Sequence, residues 1–134
     1  MNAHGSTHSA GIPGWVFVAI TLLGTVYGQL VLKWQIAKVA GDVPSAISEK
    51  VGFLLKLMLL NPWVFSAFAA AGIAAVAWMA ALSVYDLSVA YPFMSLSFVL
   101  VAMGSAIWLG EAFTVGKLVA LAFIAVGLII GSRL

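Results

Sequence analysis

Apolar residues dominate four stretches of the chain, about 14–37, 62–85, 89–109 and 114–131, and turn-forming or polar residues separate them. Each stretch approaches the ~20 residues that a helix needs to cross the hydrocarbon of a bilayer. None shows the period-two alternation of a strand. In lipid the backbone must satisfy its own hydrogen bonds, so each stretch is predicted as an α-helix. Trp15 marks the outer boundary of the first. Asn61-Pro62-Trp63 opens the second, where proline suits a first helical turn. The expected fold class is an all-α membrane protein with four transmembrane helices.

The segment from Val39 to Leu60 has a different pattern. Gly41-Asp42-Val43-Pro44-Ser45 is turn chemistry, and Ser45 is placed to cap a following helix. Across about 45–59, Ile47, Val51, Leu54, Leu55 and Met58 share one helical face, with Ser48, Glu49, Gly52 and Lys56 largely opposite. That is the pattern of a short amphipathic helix lying at the membrane surface. A continuous lead-in to the second span is the alternative. Residues 1–13 are polar and lack Lys and Arg, and the apolar stretch that follows is too long for a signal peptide, so a flexible tail before an uncleaved helix is expected. His4 and His8 have an i, i+4 spacing that suits a metal on a helix. Gly5, Ser6 and Gly11 oppose a helix there, and no metal or cofactor site is predicted.

Composition excludes a water-soluble domain. Of 134 residues, 64% are hydrophobic and 7% charged, too few charges to cover a water-facing shell. The absence of cysteine removes disulfides and thiolate metal sites. A net charge of +2 is too small to suggest nucleic-acid binding. Lys33, Lys38, Lys50 and Lys56 lie in or near the first connection and Lys117 in the third. The other side has only Arg133. The positive-inside rule then places connections one and three in the cytoplasm and both termini outside.

Polar residues inside the spans are the candidates for chemistry. Thr21, Thr25, Gln29 and Lys33 recur every fourth residue along the first span, a slanted stripe roughly 18 Å long at helical rise. A Lys at the centre of a bilayer costs roughly 2.5–3.5 kcal/mol on insertion scales, so this stripe is expected to meet protein, water or a polar ligand. Gln29 offers two donors and an acceptor to phosphate or sugar hydroxyls. Lys33, nearer the cytoplasmic boundary, suits an anionic head group. The structural alternatives are a snorkelling Lys33, a Gln29 that bridges helices, and threonines bonded to their own helix. Tyr91 and Ser95 are one turn apart in the third span. They are either an interface anchor and a self-satisfied serine, or a hydroxyl pair lining the same cavity. Pro92 is tolerable in a first turn and would bend the helix if deeper. Gly24 with Gly28, and Gly127 with Gly131, are G-x-x-x-G patterns expected to support close helix packing or dimerisation. The alanine-rich second span and Trp78 read as packing. Asp86 and Glu111 fall at helix ends, and no carboxylate pair, Ser–His–acid set or P-loop is present, so the chain is not expected to be an enzyme.

The first span carries YGQLVLKW, the third YDLSVAYPFMSLSFVL followed by LGEAF, and the chain closes on GLIIGSRL. In these motifs the chain resembles the small multidrug resistance and EamA-like drug-metabolite transporter superfamily from Gly14 onward. Its drug exporters have a glutamate where Thr25 stands and a tryptophan where Met94 stands. The branch of aminoarabinose-phosphoundecaprenol flippase subunits is more similar: its pattern is met by Gly28, Gln29 and Lys33, by Ala90, Tyr91, Pro92, Ser95, Leu96 and Ser97, and by Gly110 and Glu111. The resemblance implies a bacterial inner-membrane protein that works as a homodimer, or as a heterodimer with a paralogous subunit. It implies translocation of a polyprenyl-phosphate-linked sugar or similar anionic lipid, with Lys33, Gln29, Thr25, Tyr91 and Ser95 binding the substrate. Export of a small cationic or polar compound, or an accessory role in an envelope enzyme complex, are the alternatives.

Overall fold

Helix is the only regular structure among the described residues, 12–133, of the computed structural model. The sequence of elements is α1 (Gly14–Val39), a short 3-10 turn (Ala40–Asp42), α2 (Ile47–Leu60), α3 (Pro62–Leu82), α4 (Leu87–Met94), α5 (Leu96–Trp108) and α6 (Val115–Arg133). Four helical stretches, with α4 and α5 counted as one, are long and apolar enough to cross a membrane. The chain is therefore an all-α, multi-pass membrane protein. His4 and His8 lie outside the described residues.

Local chemistry explains most of the boundaries. Pro62 is the first residue of α3, and the Asn61 side-chain oxygen accepts from the Trp63 and Val64 amides at 2.9 and 3.3 Å. That satisfies two of the donors a helix start leaves open. The residue before α2 is Ala46 rather than the expected cap Ser45. Its carbonyl accepts from the Lys50 amide at 2.8 Å and no side chain caps the start. Gly110 adopts the left-handed conformation (φ 69°), which turns the chain after α5 and lets the Glu111 amide donate to the Ser105 carbonyl at 3.1 Å.

The third span is not one rod. It starts at Leu87, because the Val89 and Ala90 amides already donate to the Asp86 carbonyl. Pro92 therefore falls in the second turn, not the first. It has no N–H to give the Ser88 carbonyl, and its ring crowds that turn. The helix breaks three residues on, at Ser95, where bonds from Ser95 to Pro92 and from Phe98 to Ser95 are both of the tighter i to i+3 kind.

The tightest packing joins α1 and α3. They run antiparallel: Gly14 lies by Tyr85, Gly24 by Ala70 and Ala74, Gly28 by Ala67, and Gln35 by Asn61. Val18, Thr21, Gly28, Val31 and Gln35 are buried on α1, against Val64, Ala67, Ala74, Ala77 and Ala81 on α3. Small side chains let the two backbones close in, and dispersion plus interhelical hydrogen bonds hold them where lipid offers no hydrophobic drive. On the flank of this seam Tyr27 donates to Ser66 Oγ at 2.9 Å, since the Ser66 proton is committed to the Trp63 carbonyl at 2.6 Å. Helices α4 and α5 lie on α1, and among the described residues α6 packs against α4 and α5. Neither α6 nor α2 buries a residue, and α2 rests along α3.

A Cβ at Gly24 would lie 3.0 Å from the Ala70 carbonyl oxygen and 3.0 Å from Ala74 Cβ. Gly24→Val is expected to destabilise the protein by about 1–3 kcal/mol, as overpacking does. Gly72 on α3 has nothing within 4 Å of such a Cβ. Gly72→Ala is expected to be neutral or slightly stabilising, by helix propensity. Thermal unfolding in one detergent compares the two.

Candidate functional site

Beside the seam, α1 and α3 diverge from α4 and α5 around a cavity of about 580 Å³. From α1 it is lined by Thr21, Gly24, Thr25, Gly28, Gln29 and Leu32. From α3 come Ala67, Phe68, Ala71, Ala74, Ala75 and Trp78, and from the broken third span Tyr91, Met94, Ser95, Ser97 and Phe98. The local reasons are visible in the chain. Alanines on α3 leave room where larger residues would fill it. The break at Ser95 falls at the cavity wall.

The polar groups here divide into satisfied and free. Thr21 is buried, and its hydroxyl lies 2.8 Å from its own helix's Phe17 carbonyl and 3.3 Å from the Ala74 carbonyl across the seam. Its single proton is thereby committed to backbone. Ser97 donates to the Met94 carbonyl at 2.6 Å. Thr25, Gln29, Tyr91 and Ser95 make no side-chain hydrogen bond to protein among the described residues. Tyr91 packs edge-on to Trp78, ring centroids 5.9 Å apart at 77°. Three hydroxyls or amides and a phenol thus face one cavity with their hydrogen-bonding capacity open. None of the lining residues is acidic or basic.

Lys33 is not among them. It belongs to a separate pocket of about 330 Å³ with Trp34, Ala37, Lys38, Trp108, Leu109 and Glu111. Lys33 Nζ stands 3.7 Å from Glu111 Oε1, and both side chains reach solvent. Such a pair contributes no more than about 1 kcal/mol. Trp34 is the hub of this end, 5.5 Å from the Trp63 ring and 5.4 Å from the Trp108 ring, with Lys38 Nζ 3.8 Å above its face. Lys117 Nζ donates to the Ala112 carbonyl at 2.8 Å in the neighbouring loop.

The two glycine pairs occupy different surroundings. Gly24 and Gly28 face α3 within the same chain, whereas a Cβ at Gly127 would meet open space and one at Gly131 would lie 4.0 Å from Pro92 Cβ. Sequence reasoning passed over Gln35. It is 4% exposed, and its Oε1 accepts from Asn61 Nδ2 at 3.2 Å while its Nε2 has no partner. Asn61 must present its oxygen to the start of α3, so its NH₂ faces Gln35, and this sets the direction of the Gln35 amide. The signal was the 21, 24, 28, 31, 35 spacing of the seam, which crosses the more conspicuous i+4 stripe. Trp34, Lys38, Trp108 and Glu111 also escaped notice as a group, because their meeting needs the α5–α6 turn to fold against the end of α1.

No family model, curated protein or solved structure matches this chain. Fold and site together define a multi-pass helical membrane protein with an uncharged, mostly apolar cavity that carries a few polar side chains, and a separate cation-bearing pocket at one end.

The chain has no cysteine, so single cysteines report access directly. Thr25→Cys, Gln29→Cys and Ser95→Cys are expected to react with a water-soluble maleimide. Thr21→Cys, at a site only 4% exposed, is expected to react at least about tenfold more slowly, as burial of a thiol dictates. Equal rates at all four positions would remove the distinction drawn here.

Proposed function

We propose that the protein is a transporter subunit that moves a polyprenyl-phosphate-linked sugar, or a similar anionic lipid, across the bacterial cytoplasmic membrane. One observation carries this reading: four side chains without a hydrogen-bond partner among the described residues, Thr25, Gln29, Tyr91 and Ser95, line one cavity among helices long and apolar enough to cross a membrane. Leaving so much hydrogen-bonding capacity unused in hydrocarbon is costly unless a polar ligand or water takes it up. The lining has no acid to balance an organic cation, and its hydroxyls and amide suit a neutral sugar better than the cargo of a drug exporter. The resemblance in GQ…K and AYPxxSLS supports the same choice.

In this reading Lys33 draws the phosphate to the lysine-bearing end, which faces the cytoplasm. Gln29, Thr25, Tyr91 and Ser95 exchange hydrogen bonds with the sugar as it passes. The prenyl chain stays in the bilayer, so only the head group needs a path. Helix α2, with Ile47, Val51, Leu54, Leu55 and Met58 along one face, lies at the membrane surface in this reading. The chain works as a pair, with itself or with a paralogous subunit, and α6 with Gly127 and Gly131 supplies the contact surface.

Proteoliposomes that contain a polyprenyl-phosphate sugar test the proposal by the fraction of head group exposed to an external glycosidase. The chain, alone or with its paralogous partner, is expected to accelerate flipping. Lys33→Ala is expected to slow it about tenfold or more, the scale of a lost hydrogen bond to a charged group, and Gln29→Ala by about three- to tenfold, the scale of a neutral one. Absence of flipping in both reconstitutions sinks the transport reading. Flipping that survives both substitutions sinks the site assignment alone.

A further inference from the structure

Among the described residues that line the cavity, Trp78 is the one indole. Its neighbours on the same side of α3 are small: Ala71, Ala74 and Ala75. A helical side chain leans over the turn that precedes it. The indole of Trp78 therefore overhangs Ala74 and Ala75, above the space those alanines leave. A tryptophan that only packs usually buries its rings and bonds its N–H. Trp78 is half-buried, and its N–H has no hydrogen-bond partner among the described residues. Tyr91 stands edge-on to it, ring centroids 5.9 Å apart at 77°, so the phenol covers at most one of the two indole faces. Thr25 on α1, and Ser95 one turn beyond Tyr91, bring open hydroxyls to the same cavity.

We infer that Trp78 is a stacking platform for a sugar ring, and that it makes the cavity prefer a cyclic sugar to an open-chain polyol. The inference rests on the transport reading above and adds the residue that reads the shape of the cargo. The C–H groups on one side of a pyranose ring form a flat patch with partial positive charge. An indole face is flat and negative, so the two attract. The hydroxyls at the ring edge then project sideways, where Thr25 and Ser95 exchange hydrogen bonds with them. Glycerol, or another open-chain polyol, offers the same hydroxyls without the flat face. Each of its free rotors must also be ordered on binding, which costs affinity. The four polar side chains alone accept ring and open chain alike. The platform separates them, and the bare alanines beneath it give the ring its room.

The test titrates the full chain, in nanodiscs of zwitterionic lipid, by calorimetry with two probes of equal charge and equal lipid tail. Citronellyl phosphoglucose carries a ring, and citronellyl phosphoglycerol an open chain. The wild type is expected to bind the ring probe about two- to tenfold more tightly, the scale of one aromatic contact beyond its buried area. Trp78→Phe keeps a smaller aromatic face and is expected to retain part of the preference. Trp78→Leu is expected to abolish it, while binding of the open-chain probe changes by less than about twofold, since that probe gains little from the platform. The open-chain probe thus reports in the same titrations that each variant is folded. A ring preference unchanged in Trp78→Leu overturns the inference, as does the absence of any preference in the wild type. Loss of both probes in Trp78→Leu and Trp78→Phe alike also overturns it, because a packing role has that effect. These outcomes leave the transport reading standing, whereas binding of neither probe by the wild type overturns that reading as well.

Discussion

The close antiparallel contact between α1 and α3 is the constraint on which the other helices depend. In hydrocarbon, two helices gain little by hiding apolar side chains, so they must touch closely to stay together. Gly24 and Gly28 on one side, and Ala67, Ala70 and Ala74 on the other, remove the side chains that would hold the backbones apart. Once this pair is set, α1 has a filled side against α3 and an adjacent polar stripe left uncovered. Helices α4 and α5 come to lie across that stripe without closing onto it, and the cavity is the space between.

The helices were legible in the chain because lipid permits few alternatives. Apolar stretches of spanning length leave helix as the available answer, and Asn61-Pro62 announced the start of α3 through chemistry that acts within three residues. The break at Ser95 was less legible. Its cause, Pro92, was plain, but its effect depended on whether the helix began before or after Leu87, and the Asp86 carbonyl decided that. The same limit applies to Ser45, which has the right chemistry for a cap and stands one residue too early.

The polar stripe was legible as a stripe, and its division was not. Thr21, Thr25, Gln29 and Lys33 follow one another at equal spacing, yet they have three different environments. The slant of the stripe carries Thr21 into the seam, where its hydroxyl lies between its own Phe17 carbonyl at 2.8 Å and the Ala74 carbonyl of α3 at 3.3 Å. Thr25 and Gln29 remain over the cavity. Lys33 lies past its edge, where the turn between α5 and α6 brings Glu111 alongside. Spacing reports which residues share a helix face. It carries no information on what another helix, distant in sequence, lays against each turn of that face.

The unpaired Gln35 amide gives the α1–α3 seam a weak end. Along most of its length the seam is closed by small side chains at contact distance, and near Thr21 by a hydrogen bond across it. At the lysine-bearing end it is closed by an amide with one buried donor unspent, which costs about 1–3 kcal/mol wherever no acceptor arrives. The two helices thus resemble a zipper whose slider rests beside Asn61. Fraying that starts there lets water reach the orphan N–H and recover part of that cost, while fraying from the opposite end recovers nothing. The seam is accordingly least secured at its lysine-bearing end, the end that also carries the pocket lined by Lys33 and Lys38.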